Sequence, residues 1–387
     1  MIAVSDPRDA GFDPDRLERL ALAIQTDIDA ARYDGCELVV ARGGAVAFHQ
    51  QFGFAERATG RRVAPAQPFV SMSIGKQLTV AAVFQRIERG DFTLTTPVAE
   101  LFPEFGQRGK ERITIAHLLT HTSGLPMMLP PMPLELSVNL EAVVQATAAA
   151  LPEFRAGSRV SYCILVAHAV LAECVRRADG CRRPYRTILA EDLFRPLGMT
   201  DTTLGCPDAV RPRLAPVVAR DRRPGLFDPV FLETLGAILA EDTEVPAGGY
   251  VTTSPDMHRF AEMLRCGGAL DGIRILSPGT IESVQVNQTG DEPNTIWAYA
   301  EVMRGWESFP ANLGLGFFLR GEGIFPTPFG HFASPTTFGG FGAGSSTFWI
   351  DPASDVTYAF LSSGLMEDSY SVERHMRLSD LVHSALV

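Results

Sequence analysis

A chain of 387 residues that is 46% hydrophobic and 20% charged can bury a large core, and it is too apolar to be disordered. One large domain or two are expected. The net charge of −11 weighs against nucleic acid or an anionic membrane as a partner.

Residues 1–12 have no basic start and no apolar run of signal length, and no stretch has the length and apolarity of a transmembrane helix. A cytoplasmic location is the default expectation. The six cysteines (Cys36, Cys163, Cys174, Cys181, Cys206, Cys266) are spread without a C-x-x-C pair, so free thiols are expected. The eight histidines include no H-E-x-x-H, and neither a metal nor another cofactor is expected.

Asp13-Pro14 is a helix start, with Asp as N-cap and Pro at the first helical position. Leu17, Leu20, Ile24 and Ile28 then mark one helical face. Residues 37–42 and 45–49 flank Gly43-Gly44 and read as a β-hairpin with a two-residue turn. A polar loop is expected over 53–70. It leads into Ser71-Met72-Ser73-Ile74-Gly75-Lys76, followed by a helical run from Leu78 to Ile87 closed by Gly90. That run is apolar almost all round, which predicts a buried helix.

Ser73 and Lys76 stand at i and i+3, one above the other on a helix face. Of the 34 basic side chains only Lys76 and Lys110 are lysines. Arginine keeps its proton, whereas a desolvated lysine can lose it. A lysine in apolar surroundings, one turn after a serine near a helix N-terminus, points to proton chemistry. The pair is also short enough to arise by chance.

Residues 91–245 carry helical patterns and Pro-broken loops. Met127–Pro133 is apolar yet cannot be regular structure, so it is a packed loop or a flexible pocket wall. Residues 205–245 hold few strand signals and read as a lid or loop region. Residues 346–350 and 356–361, joined by Asp351-Pro352-Ala353-Ser354-Asp355, read as a second hairpin, and a last helix over 370–386 carries Met376, Leu378, Leu381 and Val382. The expected fold is α/β (α+β): a sheet built from both termini, 1–90 and 246–387, with a mainly helical insertion at 91–245.

Longer runs now agree with the first motif. Leu118-Leu119-Thr120-His121-Thr122-Ser123-Gly124-Leu125, Pro196-Leu197-Gly198-Met199-Thr200-Asp201-Thr202 and Pro246-Ala247-Gly248-Gly249-Tyr250 resemble, in order, segments of the serine β-lactamase-like superfamily. This family includes class C β-lactamases, D-amino-acid peptidases, family VIII carboxylesterases and some acyltransferases. The resemblance implies a β-lactamase/transpeptidase-like fold with an antiparallel sheet. It also implies an acyl-enzyme on Ser73, with Lys76 supporting deprotonation. The family's Tyr-x-Asn falls on Tyr162-Cys163-Ile164, so Tyr162 is the implied acid/base, with its pKa lowered by its neighbours, and Ile164 replaces the Asn. As an alternative, Tyr162 is a half-buried tyrosine bonded to backbone. The Lys-Thr-Gly or His-x-Gly motif falls on Gly340-Phe341-Gly342, so Gly340 replaces the basic residue. The implied oxyanion donors are the N–H groups of Ser73 and Ala343.

Losing both Asn and the basic residue disfavours β-lactams and peptides and favours less polar acyl substrates. Gly340, Phe341, Gly342 and Tyr250 are the expected substrate-binding positions, with Trp349 and the Met-Pro loop as further pocket walls; singly, each is as compatible with packing. His331 could reach back toward Gly340 or lie on a surface loop. His121 and Ser123 are read as structural, and Asp256 as a helix N-cap. The expectation is a serine carboxylesterase acting on a small-molecule ester. The alternatives are an acyltransferase with the same acyl-enzyme, a β-lactamase or D-amino-acid amidase, and a non-catalytic binding homologue. Oligomeric state leaves no mark in the sequence.

Overall fold

In the computed structural model, which describes residues 2–387, the start signal at Asp13-Pro14 operates as the sequence predicts. Asp13 accepts the N–H groups of Asp15 and Arg16 and opens α1 (Pro14–Asp29), which buries Leu17, Leu20, Ile24 and Ile28. β1 (Gly35–Arg42) and β2 (Ala45–Glu56) form the first hairpin. Gly43 and Gly44 both have positive φ, 57° and 83°, as the central pair of a type I′ turn requires. Residues 53–56, expected in a loop, continue β2, because β3 (Arg61–Arg62) pairs with them at the sheet edge. Edge strands carry charged residues that read as loop in sequence.

Besides a two-stranded hairpin, Ala269–Leu270 with Ile273–Arg274, the other strands are β4 (Phe69–Val70), β5 (Thr203–Leu204), β6 (Tyr250–Thr252), β7 (Phe318–Leu319), β8 (Phe338–Phe341), β9 (Thr347–Asp351) and β10 (Val356–Ser363). A seven-stranded antiparallel sheet runs β3-β2-β1-β10-β9-β8-β7, so the N-terminal hairpin joins the C-terminal strands through β1 and β10. Their register sets Leu38 opposite Phe360 and Val40 opposite Tyr358.

The longer helices are α2 (Gly75–Glu88), α3 (Leu140–Ala149), α4 (Val166–Ala178), α5 (Pro229–Ala237), α6 (Ser254–Arg265) and α7 (Asp368–Ser384). Tyr358 and Phe360 pack with α1 and α7, while Ala359 and Leu361 join a second core with Phe260 of α6 and the apolar face of α2. This period-two split makes three layers. Trp349 belongs to the first core: it stacks on Tyr358 and donates to Ser379 Oγ at 3.0 Å, so it is no pocket wall. A small sheet, β4-β6-β5, joins residues from both parts of the expected domain division.

Thr253, not Asp256, caps α6: its side chain accepts the Asp256 N–H. The Asp256 carboxylate instead accepts from Asp201 N and Thr202 Oγ1, and burial raises its pKa to about 6. The region 205–245 contains α5, begun by Asp228-Pro229 with the same chemistry as Asp13-Pro14. All six cysteines are free thiols. Among the described residues no helix is long and apolar enough to cross a membrane.

Candidate active site

Ser73 lies in a single 3-10 turn, Met72–Ile74, that runs directly into α2. Met72, just before it, holds a left-handed φ of 51°. A residue with a Cβ in that region is strained, and such strain gathers at functional sites. Three contacts hold the bend. Ser346 Oγ donates to Ser71 O at 2.7 Å, Ser71 Oγ donates to Gly248 O at 3.1 Å, and the Gly75 N–H bonds back to Met72. Gly75 needs to be glycine, since a Cβ there would sit 2.3 Å from the Tyr250 ring.

Tyr250 is therefore not a substrate contact. It is fully buried beneath the serine turn, its hydroxyl 2.7 Å from Thr79 Oγ1. Thr79 Oγ1 also bonds Pro246 O at 2.7 Å, which fixes the 246–249 segment against α2.

Lys76 is 1% exposed and its ammonium has two partners: Ser73 Oγ at 3.0 Å and Ala247 O at 3.0 Å. Among the described residues no carboxylate pairs with it. Burial, opposed slightly by Cys163, drops its pKa to about 7. A large fraction is therefore neutral amine at physiological pH, able to accept a proton from Ser73.

Tyr162 is 4% exposed, on the irregular segment that leads into α4. The segment is clasped by the 118–125 stretch: His121 O accepts from Ser161 N at 2.9 Å, and His121 Nδ1 accepts from Cys163 N at 3.0 Å. The His121 ring stacks on Tyr162 at 4.4 Å, while burial lowers its pKa to about 3 and keeps it neutral. Ser123 Oγ takes the Leu125 N–H. His121 thus holds the Tyr162 segment in place, with Ser123 Oγ 3.9 Å from Cys163 Sγ beside it. Lys76 Nζ sits 4.9 Å from the centre of the Tyr162 ring. Burial raises the Tyr162 pKa despite the opposing effect of the Ser73 hydroxyl, which reverses the sequence expectation of a lowered value. The phenol keeps its proton at neutral pH and is a donor; desolvation, worth more than the neighbouring dipoles, is the cause.

Gly342 lies so close to the serine turn that a Cβ would come within 2.9 Å of Ser73 N. The next residue, Ala343, borders the same cavity as Ser73, and among the described residues no acceptor takes its N–H. Gly340 faces α2: a Cβ there would meet Gln77 Oε1 at 2.3 Å. Gln77 fills the space a basic side chain would need. Phe341 is half-buried and packs on Phe318 at 4.6 Å and Trp297 at 5.8 Å, beside the site but off the cavity wall. His331 bonds Phe325 O and faces Asp380, on a surface loop.

The cavity above Ser73 leaves about 50 Å³ open to the centres of water molecules. Besides Ser73, its walls are apolar side chains and glycines, among them Met72, Ile164, Leu165, Phe231, Leu235 and Val245. The Met-Pro loop does not border it; residues 126–131 line a separate cleft with Phe154 and Arg159. A cleft of about 640 Å³ lined by Arg32, Arg220, Arg223, Arg374 and Arg377 touches none of Ser73, Lys76 and Tyr162. Sequence reasoning named Ile164 but missed α5, although Asp228-Pro229 followed by Phe231, Leu232 and Leu235 was a readable signal.

The Beta-lactamase family model matches residues 20–382. The chain is 25% identical over 360 residues to the esterase/beta-lactamase LipL of Mycobacterium tuberculosis, covering 87% of this chain and 78% of that protein. It is 31% identical over 217 residues to the esterase EstB of Burkholderia gladioli, covering 50% of this chain and 54% of that one. The crystal structure of a family VIII carboxylesterase superposes with a TM-score of 0.79 at 20% identity, covering 97% of this chain and 98% of that one.

Proposed function

The chain belongs to the beta-lactamase family, and from that premise we propose that it is a serine hydrolase of carboxylesterase type, with Ser73 as nucleophile, Lys76 as base and Tyr162 as proton donor. One observation carries the reading: a buried lysine without a carboxylate partner donates to the Ser73 hydroxyl at 3.0 Å, beneath a cavity with apolar walls. The relatives LipL and EstB, both named as esterases, support the reaction class.

In acylation, Ser73 Oγ bonds to the ester carbonyl carbon while its proton passes to the neutral Lys76 amine. The developing oxyanion takes the N–H groups of Ser73 and Ala343. The carbon–oxygen bond to the alcohol then breaks. The leaving alkoxide takes the Tyr162 proton, and the Lys76 ammonium returns a proton to Tyr162. In deacylation, water gives a proton to Lys76, its oxygen bonds to the acyl carbon, and the acyl–Ser73 Oγ bond breaks as the Lys76 ammonium returns that proton to Ser73 Oγ, releasing the carboxylic acid. Uncharged esters fit this site better than β-lactams: Ile164 offers no amide, and Gln77 fills the space of a cation at 340.

Transfer of the acyl group to an alcohol is a second reading, since the same acyl-enzyme can be opened by either nucleophile. Exposure to a fluorophosphonate followed by intact-mass and peptide mapping tests the primary reading. One adduct on Ser73, absent in Ser73→Ala together with p-nitrophenyl ester turnover, is expected. An adduct elsewhere, or turnover surviving in Ser73→Ala, sinks the assignment, and fast nitrocefin hydrolysis would reverse the substrate preference.

A further inference from the structure

α5 stands over the nucleophile. Leu232 packs directly on Ala343 and Leu365, with the Met72 side chain, Phe227 and Phe231 around them. Leu235, Gly236 and Leu239 continue the wall toward Val245 and Gly248. The helix is thus seated on one proposed oxyanion residue, Ala343, and on Met72, the neighbour of the other. Apart from Leu232, its large apolar side chains are incompletely packed. Val230 is 58% exposed, and Phe231, Leu235 and Ile238 are only half-buried.

Polar tethers to α5 are few. Asp228 caps its first turn, and Glu233 Oε1 takes the Ala219 N–H at 2.9 Å and Arg222 at 2.7 Å. Gly236 rests on Val217, where a Cβ would come within 2.5 Å. The space left under this cover suits a few waters and no ester of ordinary size. An acyl chain that reaches past this room displaces apolar side chains of α5 and takes over the surface they leave.

We infer that α5 is a movable cover whose inner face, through Phe231 and Leu235, selects the acyl chain, and that the substrate is an ester of an uncharged, linear aliphatic acid longer than acetate. The inference rests on the esterase reading and adds the acyl class and the residues that read it. An aliphatic chain replaces the cover's contacts like for like. A charged acyl chain would lose its hydration against walls that carry no charged side chain and no side-chain donor other than the Ser73 hydroxyl.

A p-nitrophenyl ester series from acetate to dodecanoate tests this in the full chain, with a terminal-carboxylate acyl ester as the charged member. kcat/KM should rise about fourfold per added methylene, the value of one buried CH₂, until the wall is filled. Leu235→Trp should lower the hexanoate-to-acetate ratio by about tenfold or more, and Leu235→Ala should move the optimum to longer chains. A flat profile, equal turnover of the charged ester, or a ratio that neither variant moves would overturn the inference. If acetate is hydrolysed and Ser73 is labelled by fluorophosphonate, such a result leaves the esterase reading standing. Absence of both labelling and turnover removes that reading and this one with it.

Discussion

Below the cavity, the polar atoms around Ser73 have set partners: Lys76 holds Ser73 Oγ and Ala247 O, Ser71 holds Gly248, and His121 holds the backbone on both sides of Tyr162. Above it, α5 meets the same serine with leucine and phenylalanine, half-buried and tied by one carboxylate. The floor is directional and tolerates little displacement, since proton transfer needs donor and acceptor within hydrogen-bond reach, directly or through one water. The cover is non-directional and can be rebuilt by any apolar occupant of similar volume. Chemistry is therefore assigned to the floor and selectivity to the cover, and changes in the two should have different signatures.

The largest effect belongs to the floor. Lys76→Arg keeps the positive charge but cannot lose it. Turnover of every ester should fall by about 10²–10⁴, equally for short and long chains. The second lysine is the control. Lys110 is also buried, but its ammonium meets only Ala150 O at 2.6 Å and the Phe105 ring. Lys110→Met should alter stability and leave the rate constants within about twofold, because it touches no part of the site. Steady-state kinetics of both variants checks the contrast. A Lys76→Arg enzyme of near-normal rate would move the base elsewhere.

The next effect is the pH dependence of that floor. Lys76 must be neutral to act, and burial places its pKa at about 7. Activity should therefore fall about tenfold per unit below pH 7 and level off above it. Asp368, buried under Gly344 of the oxyanion loop, is also raised to about 7. Asp368→Asn separates them: the acidic limb persists if it belongs to Lys76 and vanishes if it belongs to the carboxyl. The same shift has a stability consequence. The folded pKa lies below the unfolded value of 10.5, so the unfolded chain binds the extra proton between these limits and stability rises with pH there. Lys76→Met should accordingly stabilise the fold most at or below pH 7, with the gain shrinking toward pH 10.5 in denaturant titrations.

Much of the floor was legible in the sequence because it is local. Ser73 and Lys76 are one turn apart, and Asp13-Pro14, Gly43-Gly44 and the alternating strands each obey a short-range rule. What sequence misjudged depended on distance in the fold. Tyr250 read as a substrate-binding position within a motif, yet it fills the space that Gly75 leaves open. The titration of Tyr162 was expected in the wrong direction, because burial by distant segments outweighs its near neighbours. Gly340 was correctly read as lacking a cation, while the reason, Gln77 occupying its place, comes from another element. Thr253 displaced Asp256 as a cap by a difference of three residues that sequence rules seldom resolve.

The smallest effect should come from the cover's tether. Glu233→Ala removes the acceptor for the Ala219 N–H and the partner of Arg222, which is 58% exposed, so most of the loss comes from the backbone bond. One such bond is worth about 1 kcal/mol, or roughly fivefold in an opening equilibrium. Hydrogen exchange over 229–237 should quicken by about that factor, while α2 and the central strands stay unchanged. Because both ester and fluorophosphonate must pass the cover before meeting Ser73, kcat/KM for hexanoate and the labelling rate should rise together by about two- to fivefold. A rise in exchange without a rise in either rate would make α5 a spectator of entry and leave it only as a wall. A fall in the hexanoate rate with labelling unchanged would mean that Glu233 shapes the acyl surface and does not hold it shut. In the floor the Ser73–Lys76 bond admits no such mild outcome, since its loss costs about 10²–10⁴ in turnover for every ester.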